Sequence, residues 1–154
     1  MLKIKQEKSL IREVALIEIG VPNSTGNIYS EKSVNKIFEI LAQREYLTGE
    51  LVYNINPDKS RRKIRNPIRE ASHIIKNMFI DDGFLVAVVN FKSTRNGKDA
   101  LKMYEDGTVT FRPTIRGKIT EYSSEIIIND IISVDLIPIN DKVLQKEINW
   151  ITVK

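Results

Sequence analysis

No cysteine occurs in the chain, so disulfides, thiolate nucleophiles and cysteine-based zinc sites are excluded. The sequence holds 1 histidine, which rules out a histidine-rich metal centre. Composition alone leaves open an all-carboxylate site for a hard cation, but no metal site and no cofactor are assigned. Long apolar runs are missing too. The opening MLKIKQEKSLIREV interrupts its apolar residues with charge, and no stretch has a signal-peptide pattern. Nor does any reach the roughly 20 apolar residues of a membrane-crossing helix. The sequence therefore predicts a protein of the cytosol of the cell that makes it, or one packed inside a particle assembled there, without a membrane partner.

What remains is an ordinary globular composition. The chain has 154 residues, 42% hydrophobic and 29% charged, enough for one domain over residues 1–154 with its own core. The net charge of +4 is compatible with nucleic acid or an acidic protein as partner, and too mild to choose between them. The cations are not evenly spread. Residues 54–67, NINPDKSRRKIRNP, carry Lys59, Arg61, Arg62, Lys63 and Arg65 between two prolines. That composition predicts an exposed basic loop. Most charge runs are solvated faces with no partner. The functional reading is a docking surface for phosphates or for an acidic scaffold segment, since clustered cations raise the local positive potential. No aromatics interleave with them, so stacking on single-stranded bases is unsupported.

Hydrophobic periodicity predicts about seven short strands and two helices. Val14 to Ile19 is a short apolar, partly β-branched run expected as a first strand. Asn23-Ser24-Thr25-Gly26-Asn27 is a loop by composition. Ser30 caps a helix reaching about Glu45, with Val34, Ile37, Phe38 and Leu41 on one face. Gly49 is expected to turn the chain sharply into a strand beginning at Glu50-Leu51. Strands on either side of Asp81-Asp82-Gly83 form a hairpin, the second apolar enough to be covered on both faces. Asn96-Gly97 breaks the chain before a short helix, KDALKMYED, which Gly107 stops. Pro113 interrupts the strand that starts at Thr108 and marks an edge, bulge or bend. Glu125 to Ile139 is the most β-branched stretch, divisible into two strands at Asn129-Asp130. The tail alternates enough for a last strand, with Trp150 against the core. Strands with two inserted helices, rather than strict alternation, predict α+β: a mainly antiparallel β-barrel or sheet with two short peripheral helices.

Several segments, in order, resemble the prohead (head-maturation) proteases of tailed phages. Asn23-x-x-Gly26-x-Ile28-Tyr29 is similar to the family's Asn-rich turn, and a helix then leads to Gly49-Glu50-Leu51. In the family that motif continues as Gly-Glu-Leu-x-His-Pro, with a catalytic histidine. Here Tyr53 stands in the histidine's place. Ser72-His73 before an apolar strand matches a familiar position, but not the one the motif gives to the base. Further on, Arg116-Gly117 match the end of a Ser-Ser-Arg-Gly motif, which puts Thr114 and Ile115 over the paired serines. Val134-Asp135-Leu136-Ile137-Pro138 is similar to the closing strand. The resemblance spans Val14 to Ile139 and implies the assemblin-like fold that these enzymes share with herpesvirus capsid proteases.

The replaced positions bear on chemistry. A hydroxyl needs a base within hydrogen-bond reach to attack at neutral pH, and threonine's extra methyl restricts its side-chain rotation. A tyrosine with an ordinary pKa near 10 is no base at pH 7. His73, as a lone histidine at a strand start, is more commonly a structural hydrogen-bonding group. Three functions follow as expectations. The first is a pseudoenzyme of the phage family, acting as a structural or regulatory component by binding capsid, scaffold or protease protein, in the host cytoplasm or the virion. The second is a divergent peptidase using Thr114 with His73. The third is an accessory protein that binds nucleic acid or a host factor through the basic loop.

Overall fold

The computed structural model describes residues 10–51, 71–139 and the backbone of 151–152. Tyr53, the basic segment 54–67 and Trp150 lie outside the described residues. Two sheets carry the architecture, and the pairing is mainly antiparallel. The class is α+β as the sequence predicts, with open sheets rather than a closed barrel.

The first sheet contains β1 (Ile11–Glu18), β2 (Leu47–Gly49), β3 (His73–Asp81) and β4 (Phe84–Phe91), in the order β1-β4-β3-β2. The continuously apolar β4 lies between β1 and β3, and Leu85, Ala87, Val89 and Phe91 on one side of it are buried. Asp82 and Gly83 make the β3–β4 turn with φ of 48° and 80°. Both residues are left-handed, as a two-residue hairpin turn that follows the strand twist requires.

The second sheet contains β5 (Val109–Ile119), β6 (Ile126–Pro138) and the two-residue β7 (Ile151–Thr152), in the order β6-β5-β7. Two expectations fail here. Asn129-Asp130 does not divide β6. Gly117 pairs with Ile128 and Arg116 with Asp130, so Asn129 is absorbed as an extra residue in a bulge. Pro113 does not interrupt β5 either. It pairs with Val134, and β7 pairs at Ile115 and Arg116, so the missing N–H falls where the strand has one described neighbour.

Helix α1 (Glu31–Arg44) is capped as expected: Ser30 Oγ accepts the N–H of Ser33, and Glu45 ends the helix in a left-handed conformation. The helix lies on β6, held at both ends. Ser33 Oγ donates to the carbonyl of Ile126 and Ser30 reaches Glu125, while Arg44 bonds Asp130 and the carbonyl of Ile131. Helix α2 (Arg95–Glu105) begins before Asn96-Gly97 rather than after it. Thr94 is the cap, accepting the N–H of Gly97, and a side chain at 97 would strike the backbone of Lys92. Glycine is there for packing rather than as a break.

The core joins both sheets and α1. Val34, Ile37, Ile75, Leu85, Ile115, Ile131 and Leu136 are almost wholly buried, and each large apolar side chain contributes roughly 1.5–3 kcal/mol by leaving water.

Candidate functional site

The two sheets meet along a buried seam, and Gly49-Glu50-Leu51 runs through it. Gly49 is not a sharp turn. It is the last residue of β2, pairs with His73, and has no left-handed backbone. Glycine is required because a Cβ at 49 would overlap the carbonyl oxygen of Val134 and Nε2 of His73. Glu50 and Leu51 then cross to the second sheet. The carbonyl of Glu50 accepts the N–H of Leu136, and Leu51 bridges Leu136 in parallel.

Five buried polar side chains gather at this seam: Ser72, His73, Thr114, Ser133 and Asp135. The Asp135 carboxylate accepts from the Glu50 N–H at 3.1 Å, from Ser133 Oγ at 2.8 Å and, at a longer 3.4 Å, from Thr114 Oγ1. The His73 ring lies 2.6 Å by Nε2 from the carbonyl of Val134 and 2.8 Å by Nδ1 from Ser72 Oγ. A carbonyl only accepts, so Nε2 carries the proton, and in the neutral ring Nδ1 accepts from Ser72. Phe111 meets the imidazole edge-on with centroids 5.1 Å apart. Burial pushes the His73 pKa below its ordinary value, against the opposing pull of the Val134 carbonyl and of nearby Asp135.

Thr114 and His73 both reach the seam, but they are not hydrogen-bonded to each other. Each is held by a different partner. Ile115 turns into the apolar core, paired with Ile131 across a register shift that separates it from Thr114. Gly117 has no room for a side chain, which would strike the carbonyl of Ile127, so packing accounts for that glycine. Tyr53, Lys59, Arg61, Arg62, Lys63 and Arg65 lie outside the described residues.

Ser72, Ser133 and the hydrogen-bonding role of Asp135 are additions from the structure. The carboxylate of Asp135, flanked by the apolar residues of β6, is the available signal, because buried charge demands partners. Serine, histidine and aspartate are thus neighbours here, and Ser72 even sits within reach of a ring nitrogen. Yet Ser72, His73, Ser133 and Asp135 have no exposed surface, at 0% each. A base must be able to meet a substrate as well as a nucleophile. The arrangement binds the sheets together, with its hydroxyls buried.

Neither a family model nor a curated protein matches the chain by sequence. Among solved structures, the bacteriophage T4 capsid assembly protease gp21 superposes with a TM-score of 0.59 at 15% identity. The match covers 82% of this chain and 80% of that one. The chain shares the fold of this capsid assembly protease. At that identity the likeness is one of fold, in agreement with the α+β arrangement of sheets and helices that the segment order implies.

Proposed function

We propose that the chain is a protease-like component of phage head assembly that works by binding, as a capsid- or scaffold-associated structural or regulatory protein, rather than by cutting. One observation carries this reading: the His73 imidazole is wholly buried, with both ring nitrogens engaged by Ser72 and Val134 and neither bonded to Thr114. A threonine with no imidazole beside it is a weak nucleophile. The replacement of the family histidine by Tyr53 and of the paired serines by Thr114 and Ile115 supports the same conclusion from the sequence. The fold shared with a capsid assembly protease supports the setting.

The test is to incubate the purified chain with phage scaffold and capsid proteins and to read any fragments by mass spectrometry. Binding without specific cleavage is expected. Specific cleavage that disappears in Thr114→Ala or His73→Ala would establish the divergent peptidase instead.

A further inference from the structure

The Asn23–Tyr29 turn has a second consequence, away from the seam. Together with β1 and β5 it frames a cleft of about 150 Å3, walled by apolar groups including Leu16, Val21, Phe111 and Pro113. Three polar atoms of cleft residues are buried with no hydrogen-bond partner: Asn23 Nδ2, Tyr29 Oη and Arg112 Nε. Buried donors of this kind are uncommon, and each calls for an acceptor.

The local structure keeps these donors from relaxing. Asn23 Oδ1 accepts from the backbone N–H of both Thr25 and Asn27, each at 3.0 Å, and from Thr25 Oγ1 at 2.7 Å. That network fixes which way the amide faces, so Nδ2 cannot swap with Oδ1. Arg112 Nη2 donates to Ser24 Oγ at 3.1 Å, which ties the guanidinium to the same turn. Tyr29 is 4% exposed. Burial pushes its phenol pKa far above the usual value, against the weaker pull of Arg112, so it stays a neutral donor.

Three unpartnered donors and one positive charge suit a small anion, which must part the cleft wall to reach atoms that are closed to solvent. The volume is well under the roughly 300 Å3 at which small-molecule sites begin. It suits one side chain or chain end, and its apolar walls favour an anion on a short hydrocarbon stem. We propose that the cleft receives a single carboxylate presented by a partner polypeptide. The fork-shaped guanidinium and the phenol would grip its oxygens, as charge-assisted hydrogen bonds do. Glu18 also lines the cleft but is exposed and not paired with Arg112. Its charge opposes an incoming carboxylate.

The nature of the partner rests on the binding role above, whereas the test needs neither a partner nor cleavage. The full chain, labelled with 15N, is titrated with sodium propionate (an acidic side chain), with N-acetylglycine (a chain end) and with sodium phosphate as control. Saturable shifts confined to Asn23–Tyr29 and Arg112 are expected with a carboxylate, in the millimolar range for so small a probe. Propionate is expected to bind more tightly, because its stem reaches the apolar walls. Tighter N-acetylglycine would assign the source to a chain end. Tyr29→Phe and Arg112→Gln should each weaken binding about tenfold, and Glu18→Gln should tighten it. Thermal midpoints of all variants verify folding. Absent shifts, shifts unchanged in Tyr29→Phe and Arg112→Gln, or a preference for phosphate would each overturn the proposal. A negative titration leaves the non-catalytic role standing, and substrate cleavage by the chain would remove that role while leaving the titration intact.

Discussion

The seam around His73 and the cleft around Tyr29 are both polar places in an apolar protein, and they are built in opposite ways. At the seam the side-chain polar atoms have partners inside the protein, and solvent is shut out. In the cleft, donors are held in position and left without acceptors. The seam has the residue types of a hydrolase, and the cleft has none of that chemistry. Residue identity alone does not reveal this difference. A satisfied cluster holds a fold together, whereas buried donors left without acceptors still call for one.

The comparison breaks most visibly at Gly49. A methyl there must push apart the His73 ring and the Val134 carbonyl. Gly49→Ala is expected to destabilise by about 3 kcal/mol in chemical denaturation, the upper range for an overpacked core. A change near zero would mean the seam is loose. A smaller effect comes from pH. The folded-state pKa of His73 lies below its ordinary value of 6.5. Between the two values the unfolded chain takes up a proton that the folded chain refuses. His73 thus favours the folded state fully above about 6.5, and that contribution falls as pH drops below it. The thermal midpoint should decline over that window by more than in His73→Gln, which keeps a donor but does not titrate. Equal declines would show that His73 is not buried as a neutral ring. The smallest effect belongs to the cleft. Tyr29→Phe removes a hydroxyl with no partner, so stability should stay within about 0.5 kcal/mol or rise slightly. A loss comparable to Gly49→Ala would mean that the two regions are alike after all.

Much of this was legible in the sequence. The period of α1, the Ser30 cap, the Asp-Gly hairpin and the unbroken apolar character of β4 are local signals, and each led to the right element. Errors came where tertiary contacts set the meaning of a local signal. Gly49 reads as a sharp turn and Gly97 as a break, yet both sit where another backbone comes too close for a side chain. Asn129 looked like a divider and is a bulge, which depends on the register of a partner strand. At the site, Thr114 and His73 are legible, but the network is not: Ser72 bonds its own neighbour and Ser133 a residue of the same strand, while Asp135 meets Thr114 on β5 and Glu50 after β2, and none of these roles has a distinctive local signature. The cleft was hidden for the same reason. Tyr29 and Arg112 are far apart in the chain, and nothing in either neighbourhood announces an unpaired donor.

The central claim is that the seam holds a neutral, shielded imidazole rather than a working base. The chain's single histidine makes this measurable without assignment ambiguity. Ring-nitrogen NMR of His73, recorded from neutral to mildly acidic pH, should show Nε2 protonated and Nδ1 unprotonated, unchanged as pH falls through 6.5. A ring that titrates near that value, with a protonated Nδ1, would contradict the account.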